Sequence, residues 1–350
     1  MSRRGGGPVT RRRPGYLADL AGGTGRFFEP RSPRCPWCGS AELRPRLRTV
    51  DLFQRKPGRF TLDECGRCGH VFQNPRLNPA GLEFYYRDFY DGLGEEELEK
   101  LFAGQPKVYR WRAELMLPYA DPRGWLDVGT GHGHFCGAAR EVWPRARFDG
   151  LDMSAGVALA AERGWVDRAH RGQFTELGPG LAEGYDVISM FHYLEHTTDP
   201  LAELQTAFKV LRTGGHLLIE VPDPACRWNR LLGRYWVGWL QPQHLQLIPL
   251  ANLRGQLTGL GFTVRASGPV RAHYPYDLLV AVWLGLNQVA PHDDRPWYRK
   301  PPGRLARLVR GATFVLGAPL MVMAGLIDRF ARPANGPGWA AAYWMIASKD

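Results

Sequence analysis

Residues 1–34 hold no apolar run of the length a secretory signal needs, so a cytoplasmic protein is expected. Six cysteines in 350 residues are too few for a disulfide scaffold. Four of them fall as close pairs, Cys35/Cys38 and Cys65/Cys68, which in a reducing compartment point to metal rather than to disulfides. The glycine-rich stretch WLDVGTGHGHF (125–135) lacks the G-x-G-x-x-G spacing of a dinucleotide loop, because Gly129, Gly131 and Gly133 alternate and position 134 is His. A nicotinamide enzyme is therefore disfavoured.

Positive charge is what the chain has in excess, at net +11, and it is uneven. Residues 1–34 carry eight arginines against Asp19 and Glu29, and residues 295–332 carry eight Lys or Arg against Asp328. An anionic partner is implied, which need not be nucleic acid. The first 34 residues read as a flexible basic arm.

CPWCG and CGRCGHVF are two Cys-x-x-Cys-Gly turns. Each aims two thiolates at one point, and four thiolates suit tetrahedral Zn2+. The intervening β-branched and aromatic residues allow short strands, so residues 35–75 are expected to form a structural zinc ribbon that needs no core of its own. His70 follows the second turn but is not needed as a ligand.

GWLDVG reads as a buried strand and HFCGAAREVW as a helix, which makes the glycine stretch a strand-to-helix loop. Asp127 at the strand end can accept from a cationic amine. A second strand ends at Asp152, where a carboxylate can accept both hydroxyls of a ribose.

LDVGTGHGHF, GLDMS, YDVISMFHYLEHTTDP and VLRTGGHLLIEVPD, in that order, resemble the motifs of class I S-adenosylmethionine-dependent methyltransferases, over about residues 107–350. The nearest resemblance is to small-molecule methyltransferases of the ubiquinone-biosynthesis type with an N-terminal zinc ribbon. It implies an α/β fold with a Rossmann-like seven-stranded sheet whose last strand is antiparallel, together with the ribbon and a helical insertion before that strand. The organisation expected is an arm (1–34), ribbon (35–75), helical linker or cap (76–123) and S-adenosylmethionine-binding domain (124–350) with an apolar insertion (271–339).

The same resemblance implies that Asp127, Gly129, Thr130, Gly131 and Gly133 line the methionine end of the cofactor. Asp152 would hold the ribose, Met153 would lie against the adenine, and Gln173 and Phe174 would contact it from the next strand. His132 and His134 receive no role beyond solvent or packing. The acceptor is expected at the carboxyl ends of the strands, where His196, then His192, then His244 are the candidate general bases; transfer by proximity without a base is the alternative. The sequence has no tetrapeptide of Asn or Asp followed by Pro-Pro-Tyr or Pro-Pro-Phe, the kind that holds a flipped base in amino-methylating enzymes acting on nucleic acid.

Trp228, Tyr235, Trp236 and Trp239 suit either a pocket wall or the core of a small cap. The uncharged run from Gly311 to Ile327 sits at the lower edge of a membrane span. A lid, a helix pair lying on a membrane surface, and packing on the sheet or between subunits all remain open. The expected reaction is O- or C-methylation of a small acceptor of hydrophobic or lipid-linked character. The rival is an RNA methyltransferase that uses the ribbon and basic arm for recognition.

Overall fold

The computed structural model describes residues 8–90, 93, 95–182, 184–270, 276–330 and 338–350. Helix α1 (Pro8–Leu20) opens it. The expected flexible arm spans residues 1–34; residues 8–20 of it form this helix instead, and residues 1–7 lie outside the described residues. Tyr16 of α1 is buried against Phe84 and Trp297 and donates to Asp88 Oδ2 at 2.9 Å. Arg12 pairs with Asp88, and Arg13 with Asp294. Part of the arginine charge is thus spent inside the molecule.

Strands β1 (Leu43–Thr49), β2 (Phe60–Cys65) and β3 (Val71–Gln73) form the antiparallel ribbon. Next come α2 (Pro79–Tyr86), α3 (Glu95–Ala103) and α4 (Pro106–Glu114). Asn78 caps α2 by accepting from the Gly81 amide, with Pro79 at the first helical position, where a missing N–H costs nothing. The buried Lys56 ammonium closes the other end, donating to the Phe84 and Tyr85 carbonyls at 2.9 and 3.0 Å.

The main domain alternates β4 (Gly124–Val128), α5 (His134–Val142), β5 (Arg147–Asp152), α6 (Gly156–Glu162), β6 (Arg168–Arg171), α7 (Phe174–Leu177), β7 (Tyr185–Phe191), α8 (Pro200–Val210) and β8 (Leu211–Pro222). After a cap containing α9 (Arg227–Leu232) come β9 (Gln246–Leu247), α10 (Leu250–Gly259), β10 (Phe262–Pro269), α11 (Asp277–Val289), α12 (Arg304–Phe330) and β11 (Ala342–Lys349). The seven-stranded sheet has the order β10-β11-β8-β7-β4-β5-β6. Only β11 runs antiparallel to both of its neighbours, which is the Rossmann-like arrangement the motifs imply.

Both faces of the sheet are covered, so its strands bury on both sides. In β4, Leu126 and Val128 face the core shared with α8 and α10, while Trp125 faces that of α4 and α5. Asp199 caps α8 ahead of Pro200, accepting from the Ala202 amide at 3.0 Å.

The ribbon is not a separate module. Its fourth strand is β9, paired with β3 through Val71–Leu247 and Phe72–Gln246, so the small sheet is completed from within the main domain. The cap tryptophans Trp228, Trp236 and Trp239 are buried with Leu62, Val71 and Leu247 and form its core.

Candidate functional site

The glycine loop follows β4 at the carboxyl edge of the sheet. All three glycines have positive φ (78°, 53° and 79° at 129, 131 and 133), which side chains rarely tolerate. Each also answers to a different neighbour. A Cβ at Gly129 would strike Tyr193 at 2.7 Å, and one at Gly133 would strike Ala160 at 2.5 Å, whereas Gly131 has nothing within 4 Å. The first and third glycines are therefore packing glycines, and the middle one leaves open space beside its own backbone.

Asp152 ties this loop to β5. Its Oδ2 accepts from the Gly131 amide at 2.9 Å and its Oδ1 from the Ser154 amide at 2.7 Å. Asp127 is almost fully buried, accepts from Ser189 Oγ at 2.6 Å, and Ser189 in turn accepts from Trp125 Nε1 at 2.9 Å. Burial pushes the Asp127 carboxyl up to about 6 against the bonds from Ser189 and Thr130. Met153 is exposed beyond the end of β5. Gln173 is exposed and donates to Glu176 at 3.0 Å. The Phe174 ring is fully buried in the sheet core, so its side chain is not available to an adenine, contrary to expectation.

His132 and His134 do more than pack. Both meet Glu99 of α3: His132 through Nδ1 and His134 through Nε2 at 3.0 Å, with Arg163 on the other carboxylate oxygen at 2.7 Å. Partial burial disfavours the Glu99 charge, but these bonds outweigh it and pull the carboxyl down to about 2. Helix α3 is thereby latched across the glycine loop.

The acceptor end draws on five segments. His192 has φ 52° and places Nδ1 2.9 Å from Glu195 and Nε2 3.0 Å from Glu220, which also takes Arg112 in a two-point pair. Burial works against an imidazolium here, yet the two carboxylates prevail and raise His192 to about 9. This corrects its candidacy as a base, since at neutral pH both nitrogens carry protons and donate. His244 is buried and donates from Nδ1 to the Gly238 carbonyl at 2.8 Å; burial and His196 lower it to about 3, so it stays neutral.

His196 has the geometry of a base. The Gln243 carbonyl, 3.1 Å from its Nδ1, can only accept, which puts the proton on Nδ1 and the lone pair on Nε2, 3.4 Å from the Tyr90 hydroxyl. The Tyr86 hydroxyl lies 3.1 Å from the same Nδ1 and itself donates to Gln243. Burial lowers His196 below the usual histidine range, despite Glu195. Tyr193, three residues before His196, packs against Gly129, which sets this cluster beside the glycine loop. Tyr86, Tyr90, Glu99 and Arg112 had no signal in sequence, because only the fold brings them to the strand ends.

At the ribbon, Cys35 Sγ lies 3.7 Å from Cys68 Sγ and Cys38 Sγ 3.6 Å from Cys65 Sγ, with all four sulfurs within 4.8 Å of one another. A tetrahedron with Zn–S of about 2.3 Å has edges of about 3.8 Å, so the residues present fit the metal. His70 stands outside that group, buried between Trp37 and Phe72, and burial lowers it to about 3.

Residues 99–267 match the family model described as a methyltransferase domain. Trans-aconitate 2-methyltransferases of Rhodopseudomonas palustris strains BisB18 and BisA53 are 28% and 27% identical over 155 and 153 residues, or 44% and 43% of this chain. The matches cover 59% and 58% of those proteins, so the chain spans less than two thirds of their length. Among solved structures, a SAM-dependent methyltransferase from Archaeoglobus fulgidus is 18% identical with a TM-score of 0.47, covering 73% of this chain and 99% of that one. Human N-acetylserotonin methyltransferase, in complex with SAM, is 15% identical with a TM-score of 0.42, covering 52% and 55%. These scores add nothing to the strand order described above. Residues 99–267 thus match a methyltransferase domain, and the sheet that contains them has the strand order of the Rossmann-like methyltransferase fold.

Proposed function

We propose that the protein transfers a methyl group from S-adenosylmethionine to an oxygen or acidic carbon of a small hydrophobic or lipid-linked acceptor. The observation that carries this reading is His196, an imidazole whose Nδ1 is committed to the Gln243 carbonyl and whose Nε2 faces the Tyr90 hydroxyl at 3.4 Å.

The donor supplies an electrophilic methyl on a sulfonium. Asp127 and the backbone around Gly131 would hold its methionine end, and Asp152 its ribose. His196 Nε2 takes the acceptor proton, and the Gln243 carbonyl stabilises the imidazolium formed. Tyr86 and Tyr90 wall the acceptor and exclude water, which matters because displacement at a methyl is catalysed chiefly by positioning and desolvation. The ionised pairs Arg112–Glu220 and His192–Glu195 are charge-matched, so they fix the strand ends without offering a free cation to an anionic acceptor. A polycarboxylate such as the aconitate named for the curated relatives is for that reason disfavoured. On the ribbon and arm, Arg12, Arg13 and Arg31 are paired to Asp88, Asp294 and Asp63, which leaves less free charge there for RNA.

The four clustered thiols would hold structural Zn2+, and thiols gathered for a metal fit a reducing, cytoplasmic setting. The test is transfer of radiolabelled methyl from S-adenosylmethionine into fractionated cell extract, comparing wild type with Asp152→Ala. Label in the organic phase, lost in the variant, is expected. Label that precipitates with RNA would replace this reading with the nucleic-acid one.

A further inference from the structure

Helix α12 runs for 27 residues, about 40 Å at the rise of an α-helix. Its inward side is one stripe, pinned along its length. Arg310 donates to Asn287 Oδ1 and to the Pro291 carbonyl, both at 2.9 Å; Gly317 lies against Leu286; and Asp328 accepts from the Leu278 and Leu279 amides at 3.2 and 2.9 Å. Among the described residues, most of the rest of its surface is open, and only 17% of its central apolar stretch is buried.

A helix with one buried stripe normally shows charge on the rest of its surface. This one has no charged residue from 311 to 327, and Leu305, Val315, Leu316, Val322, Met323 and Phe330 are 53% to 81% exposed. The charge sits at the ends instead. Arg299, Lys300, Arg304 and Arg307 near one end and Arg329 at the other are exposed and have no ion-pair partner among the described residues.

We propose that this outer face lies in the plane of an anionic lipid bilayer, its apolar side chains at the acyl boundary and the terminal arginines among the headgroups. Both ends of α12 are fastened to α11 on one body, and β11 returns directly into the sheet, which excludes a single crossing. A second copy fits less well. An isologous pair would set arginine ends against arginine ends in the antiparallel alignment and like against like in the parallel one, with no outward acid on the helix to compensate. The surface is charge-complementary to anionic lipid and to nothing of its own. Helix α11 also packs on the tryptophan cap, whose Gly238 carbonyl holds His244, so the docked face and the acceptor end share a support.

The inference does not depend on the methyl-transfer reading, because its readout needs no turnover. Full-length protein is sedimented with vesicles of phosphatidylcholine alone and with one quarter phosphatidylglycerol. Binding to the anionic vesicles is expected, weakened about fivefold for each charge removed in Arg304→Gln and Arg307→Gln, and abolished in Leu316→Glu/Val322→Glu, with melting temperature and donor affinity unchanged. These positions are exposed, so the variants fold. Four outcomes would overturn the proposal: no binding to either vesicle, binding indifferent to the α12 variants, equal binding to both vesicles, or a dimer in sedimentation equilibrium that the Leu316→Glu/Val322→Glu variant dissociates. Resistance to extraction at alkaline pH would overturn the in-plane placement.

Discussion

The donor and acceptor sides of the sheet are built on opposite principles. On the donor side, the loop and the carboxylate that ties it come from one stretch, residues 127–154, and their structural requirement falls on backbone: three positive-φ glycines and two amides held by Asp152, with Glu99, Ser189 and Tyr193 closing on them from outside. On the acceptor side, Tyr86, Tyr90, Arg112, His192, Glu195, Glu220, Gln243 and His244 converge from segments up to 158 residues apart, and the requirement falls mainly on side chains, with the Gln243 and Gly238 carbonyls as their backbone partners. A side made of contiguous backbone keeps its shape when distant parts of the molecule are damaged. One assembled across the chain does not.

The ribbon offers the sharpest way to break that comparison. From Cys65 and Cys68 the chain runs into β3, which pairs with β9. Leu245, just before β9, donates to the Glu195 carbonyl at 2.8 Å, and Gln73 donates to Gln241 at 2.9 Å. Structural zinc is worth on the order of 10 kcal/mol in small metal-folded domains. If the four thiols hold zinc as proposed, stripping it with a chelator is expected to undo β3–β9 and cost most acceptor turnover, while donor affinity by calorimetry changes less than about threefold. Equal loss on both sides would show that the domain unfolds as one unit and that the ribbon supports more than the acceptor wall.

A crossed pair of substitutions sharpens the contrast at smaller cost. His196→Asn should lower kcat by about 100-fold or more, the usual worth of a positioned base, with donor affinity intact. Asp152→Ala should weaken donor binding by about 100-fold, as expected for losing charge-assisted bonds of about 1.5–3 kcal/mol. Turnover of His196→Asn within a few-fold of wild type would leave catalysis to proximity alone.

The same division explains what the sequence could say. The β4 loop, Asp152 and the Asp199-Pro200 cap are local: spacing and residue type suffice to place them. The cysteine pairs are equally local, and so is the sheet order once the motifs are in register. Three readings failed for non-local reasons. Part of the expected basic arm, Pro8–Leu20, is a helix because Tyr16 and Arg12 find Asp88, and Asp88 has no periodic signature. His132 and His134 acquired a role only because α3 brings Glu99 over the loop. His192 ranks as a base on residue type alone, but two carboxylates from different strand ends convert it into a fixed cation.

That conversion carries the smallest and most specific effect. The folded His192 is raised from about 6.5 to about 9, so it binds its proton more tightly than the unfolded chain does. Its contribution to stability is fully present below about pH 6.5 and is lost as pH rises through about 9, leaving Glu195 and Glu220 to repel each other across a neutral ring. Thermal denaturation between pH 7 and 10 should therefore show a fall that His192→Gln lacks. Since the pair supports only the acceptor end, donor affinity should stay flat over the same range while acceptor KM climbs. A parallel drop in donor affinity would mean that the two sides, despite their separate construction, titrate together.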